Sequence, residues 1–159
     1  YNEEYKKTQD YELWGRLTRN YNLSIIPKVL MQYRISNAQI SRSSASQQDF
    51  YKNRVRLKQL AYFLDDVSLE DEGRHLSFCQ VDGKLSLLET RKWARLLIDR
   101  NRSICLYEQY SFEFYTNLFL LRNEKKVLNR DRKYILLFCI DVFLFFYSHA
   151  KFFLKNRKM

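Results

Sequence analysis

Proline occurs once in this 159-residue chain, at Pro27, and glycine three times, at Gly15, Gly73 and Gly83. Ser36 to Gln48, dominated by Ser, Asn and Gln, reads as a mobile loop or a plain linker, and Asp82-Gly83 reads as a turn. The acidic run Glu70-Asp71-Glu72 lacks the glycine and the oxygen-ligand spacing of a calcium loop, and reads as the opening turn of a helix. The three cysteines, Cys79, Cys105 and Cys139, are far apart and odd in number, with no C-x-x-C. Packed, reduced thiols in a cytosolic compartment fit that pattern, and a zinc site does not. Only two histidines are present, His75 and His149, and neither has a partner at metal or triad spacing. Helix-turn-helix, RRM and KH signatures are missing, so nucleic acid is not an expected partner.

What is present is apolar and basic. Hydrophobic residues make up 46% of the chain and aromatics 16%, enough for a packed core. Net charge is +10 and unevenly placed: residues 1–121 hold 18 basic against 15 acidic side chains, whereas 122–159 hold 10 against 3. A basic excess gathered in an apolar tail suits an anionic membrane surface.

The stretch 8–41 organises the rest. The spacing of Leu13, Trp14, Leu17 and Tyr21 predicts a helix beginning at Asp10, with these four residues as its apolar stripe. Asp10 lies at the helix start, where outward backbone N–H groups favour a carboxylate. From spacing alone it stabilises the first turn, with Thr8 as N-cap. Glu12 points to another face and reads as a solvated or structural charge. Beyond the helix, Val29, Met31, Tyr33 and Ile35 alternate with Leu30, Gln32 and Arg34, which predicts a strand.

The same residues carry a resemblance. T-Q-D-Y-E-L-W-x-R-L followed by I-P-x-V-L-x-x-Y-R-I-S resembles the second half of family 2, GT-A type, bacterial glycosyltransferases. The usual pattern there is E-D-Y-D-L-W-x-R-L and then I-P-E-V-L-x-Y-R-x-H. The resemblance covers about residues 1–45. It implies an α/β fragment, the end of a GT-A type nucleotide-sugar transferase domain, followed by a mostly α-helical C-terminal appendage. It makes Asp10 the general base toward an acceptor hydroxyl, and places Tyr33, Arg34 and Ser36 beside the donor diphosphate and metal. Gln9 replaces the family's first acid and Ser36 its histidine. Trp14, although on the apolar stripe where packing is the simpler role, joins Tyr33, Arg34 and Ser36 as a candidate substrate contact. The nucleotide-binding half and the D-x-D motif do not appear, so the chain is expected to be the C-terminal part of a longer enzyme that uses Mg²⁺ or Mn²⁺ held mostly by residues outside it.

The expected organisation is therefore 1–46 as the acceptor side of a catalytic domain, 47–129 as a helical appendage, and 130–159 as a membrane-associating tail. Helices are expected over 47–65, 69–80, 85–100 and 103–121 from their apolar stripes. The run 134–147 is apolar except for Asp141 and falls short of the roughly 20 residues that span a bilayer. The expected activity is transfer of a sugar from a nucleotide-diphospho-sugar to a saccharide or lipid-linked acceptor. The setting is cell-surface polysaccharide or glycoconjugate synthesis at the cytoplasmic face of the cell membrane. The alternative is a non-catalytic, membrane-peripheral helical binding module.

Overall fold

A computed structural model describes residues 1–21, 26, 28–32 and 45–129. Among these, five α-helices account for 67% of residues and no strand occurs. This corrects the α/β expectation, since the described chain is all-helical and not a GT-A fragment. The reason is visible at residues 28–32, part of the expected strand. Val29, Leu30 and Met31 are exposed, and the backbone bond formed here is a tight turn from Lys28 N to Ile26 O at 2.8 Å. Alternation alone cannot make a strand without a neighbouring strand to supply ladder hydrogen bonds.

The chain divides into two compact units, Tyr1–Val67 and Ser68–Met159. In the first, helix α1 (Gln9–Leu17) packs on helix α2 (Ala45–Leu60). Tyr5, Val55, Leu60 and Phe63 are buried together with Thr8 and Glu12. The two helices come close at Gly15, where a Cβ would lie 3.0 Å from the Gln59 side-chain nitrogen. Arg19 reinforces the contact, donating to Gln59 Oε1 at 2.7 Å and stacking 3.9 Å above the Tyr62 ring.

The second unit contains α3 (Leu69–Gln80), α4 (Leu87–Ile104) and α5 (Gln109–Leu128). Ser68 and Ser86 begin α3 and α4 with capping boxes. Each hydroxyl accepts the N–H three residues on, from Asp71 and Glu89, whose carboxylates return to the cap N–H. Glu108 caps α5 through the Tyr110 and Ser111 N–H groups. Pairing of Arg91 with Glu124 and of Arg102 with Glu113 runs α4 and α5 antiparallel. Asn101, fully buried, closes their loop by donating to Tyr107 O and Gln109 Oε1 and accepting from Tyr107 N. Asn123 fastens α3 to α5 by donating to Phe78 O and Phe119 O, both at 2.9 Å.

These caps make the second unit acid-sensitive. Hydrogen bonds from the Ser68, Ser86 and Ser111 groups hold Asp71, Glu89 and Glu108 below their ordinary carboxylate values. Each group is more acidic folded than unfolded. Its contribution is therefore complete above the ordinary carboxylate range and is lost as pH falls through the depressed folded value. Thermal unfolding followed by circular dichroism should show Tm falling from pH 6 to pH 3. The combined Ser68→Ala and Ser86→Ala variant should lower Tm at pH 6 and flatten that slope. A wild-type Tm unchanged across the range would contradict this role for the caps.

Candidate functional site

The first unit turns α1 so that Glu12, not the apolar stripe, faces α2. Glu12 is only 3% exposed. Its carboxylate meets Arg16 at 3.4 Å and Lys58 of α2 at 3.9 Å. Lys58 also reaches the Tyr5 ring, its Nζ 5.6 Å from the centroid, and the Arg54 guanidinium lies 5.3 Å from the same ring. Glu12 was expected to be solvated or structural, and its position settles that choice for structural. The spacing of Glu12 and Arg16, four apart, was the available signal.

With 3.6 residues per turn, fixing Glu12 inward places Asp10 and Trp14 roughly 160–200° away, on the solvent side. Trp14 is 53% exposed, so it is not the core residue the apolar stripe implied; Tyr11 and Tyr21 are exposed as well. Asp10 occupies the first turn, exposed, with Oδ1 accepting the Tyr11 N–H at 2.8 Å. Thr8 stands at the N-cap position but makes no side-chain cap bond; its hydroxyl donates to Tyr5 O. An anchored carboxylate and an open indole four residues apart thus share one face. Tyr11, exposed beside them, was not among the sequence-derived candidates.

The arrangement has definite chemical capacity. A carboxylate in water at a helix start can accept a hydrogen bond from a hydroxyl and take its proton as a bond forms. An exposed indole offers a flat apolar surface with an edge N–H donor, suited to the C–H face of a saccharide. A cleft of about 460 Å³ in the same unit is lined by Lys6, Lys7, Phe50 and Tyr51, with Lys7 Nζ donating to Gln47 Oε1.

Of the sequence-derived candidates, Asp10 and Trp14 come together on this face, whereas Tyr33, Arg34 and Ser36 lie outside the described residues. So do His149, Cys139 and the tail 130–159. No group of three or more His, Cys, Asp or Glu side chains among the described residues could hold a metal ion. Among them, too, no helix is long and apolar enough to cross a membrane. Comparisons with protein-family models, with curated proteins and with solved structures returned no match.

Two acids two residues apart should behave in opposite ways. Removing both cations, Arg16→Ala with Lys58→Ala, strands a buried carboxylate and should cost about 3 kcal/mol of the first unit's stability. Adding Glu12→Met should restore most of that loss, because an apolar side chain of similar size removes the buried charge. Asp10→Asn should change stability by less than about 1 kcal/mol. Hydrogen exchange at α1 and α2 amides measures all three. A large loss of protection from Asp10→Asn, or none from the double cation variant, would reverse the assignment of the two acids.

Proposed function

We propose that this chain carries the acceptor side of a sugar-transfer enzyme, one acting in the synthesis of a cell-surface polysaccharide or glycoconjugate. The observation that carries the reading is the shared exposed face of Asp10 and Trp14, reached in a segment whose residues already resemble a glycosyltransferase acceptor motif. In this reading the indole of Trp14 seats a saccharide or the sugar of a lipid-linked acceptor. Asp10 receives the hydroxyl proton as the acceptor oxygen attacks the anomeric carbon of a nucleotide-diphospho-sugar. The bond from that carbon to the diphosphate breaks, the nucleoside diphosphate leaves with the electron pair, and the anomeric configuration inverts. General-base assistance of this kind contributes typically ~10²–10⁴-fold.

Tyr33, Arg34 and Ser36 keep their proposed place near the donor diphosphate through the resemblance alone. Mg²⁺ or Mn²⁺ would be held mostly by residues outside this chain. The basic, apolar run 130–159 would hold the chain at the anionic cytoplasmic face of the cell membrane, each Lys or Arg near the surface adding roughly 1 kcal/mol. The second reading, a non-catalytic helical module at the membrane, is favoured by the all-helical architecture of the described residues.

One pair of measurements separates the two. Titrating the isotope-labelled chain with a panel of oligosaccharides should shift the Trp14 indole and Tyr11 amide resonances, and Trp14→Ala should abolish those shifts. In the enzyme that contains this chain, Asp10→Asn should lower kcat by about 10² or more with donor KM little changed. A chain that floats with anionic vesicles at low salt but shows no saccharide-dependent shift is the binding module. Near-normal kcat for Asp10→Asn would return that residue to a helix-start role.

A further inference from the structure

Helix α3 places His75 and Cys79 four residues apart, and α4 brings Trp93 against them. Cys79 Sγ lies 3.6 Å from His75 Nε2, and the Trp93 indole N–H donates to His75 Nδ1 at 3.4 Å. His75 was expected to lack a partner at metal or triad spacing; its helical spacing to Cys79, four residues on, was the missed signal.

An indole N–H can only donate. Nδ1 must therefore accept, and the neutral ring carries its proton on Nε2, the nitrogen facing the sulfur. Two familiar roles for a Cys–His pair are thereby disfavoured. Nε2 already holds a proton, so it cannot take the thiol's proton as a protease base would. Nor does it present a lone pair to a metal. The ring so protonated can donate Nε2–H to Cys79 sulfur, 3.6 Å away, which favours the thiolate. Trp93, 3% exposed, holds the ring from behind, while His75 and Cys79 are half-buried.

We propose that Cys79 is a modification site for hydroperoxides, with His75 as its positioning and thiolate-stabilising partner. The thiolate sulfur attacks one peroxide oxygen of hydrogen peroxide and the O–O bond breaks. Hydroxide departs with the bonding electrons, leaving Cys79 as sulfenic acid. Sulfur is oxidised by two electrons and the peroxide is reduced by two. Cys105 provides the internal contrast. It is the more exposed thiol, but its sulfur acts as the donor, to Arg102 O at 3.6 Å. Exposure alone would make Cys105 the reactive one.

The test treats the intact chain with hydrogen peroxide and dimedone at pH 7 and reads each cysteine by peptide mass spectrometry. A charged hydrogen bond raises the thiolate fraction by roughly tenfold or more, and the accompanying loss of nucleophilicity cancels about half of that logarithm. Cys79 should therefore be trapped faster than Cys105. His75→Phe should slow Cys79 by about three- to tenfold while leaving Cys105 unchanged. Faster trapping at Cys105 in the wild type, or no effect of His75→Phe in a variant with wild-type circular dichroism, overturns the proposal. Long-range ¹⁵N–¹H spectra of the unmutated chain test the tautomer without any substitution. A proton on Nε2 of His75 supports the site, and a proton on Nδ1 refutes it.

Discussion

Burial of the Glu12 carboxylate is the constraint on which the first unit depends. A charge at 3% exposure is costly unless cations answer it, and Arg16 of α1 and Lys58 of α2 do so. The rotation of α1 follows from that choice. Once Glu12 faces α2, the residues two before and two after it must face water. A buried acid in the packing interface thus determines which acid and which indole are available to a ligand. Close approach at Gly15 and the Arg19–Gln59 bond hold the same rotation further along the helix.

The second unit solves a similar problem with polar groups in its core. Leu87, Trp93, Ala94, Leu97 and Phe78 supply the apolar burial, but Asn101, Asn123 and the Arg91–Glu124 pair specify how the helices meet. Hydrophobic packing tolerates sliding by a turn; a fully buried asparagine bonded to both ends of one loop does not. Cys105 and Val81 end their helices in the left-handed region, at φ 51° and 53°, a conformation that costs a non-glycine residue roughly 1–2 kcal/mol. The three glycines of the chain leave few alternatives at such positions, and the surrounding bonds, such as Cys105 N to Asn101 O at 2.8 Å, offset the strain.

Local signals were legible where local physics decides. The acidic turn Glu70-Asp71-Glu72 marked a helix start, and the helix expected over 69–80 is observed as Leu69–Gln80. The stripes that predicted 85–100 and 103–121 identify α4 and α5, shifted toward the C-terminus because Ser86 and Glu108 set the true starts. Facing was not legible. Leu13, Trp14 and Leu17 looked like a core stripe because an amphipathic pattern normally buries its apolar side. Arg16 is a local partner of Glu12, but Lys58, the cation that meets it from α2, sits more than 40 residues along the chain, beyond any local window. The alternation from Val29 to Met31 likewise signalled a strand whose pairing partner the described residues do not contain. The place of Asp10 at a helix start was legible because it is a local property, whereas the exposure of Tyr11 and Trp14 depends on the rotation of the helix.

The central claim is that Glu12 sets the roll of α1 and so exposes Asp10 with Trp14. Hydroxyl-radical footprinting of the intact chain tests it most directly, since it reads side-chain exposure residue by residue. Rapid oxidation of Trp14, Tyr11 and Tyr21 alongside protection of Tyr5 is the outcome this account requires. Protection of Trp14 to the level of Tyr5 or Trp93 would mean that the apolar stripe is buried after all, and that the proposed acceptor face does not exist.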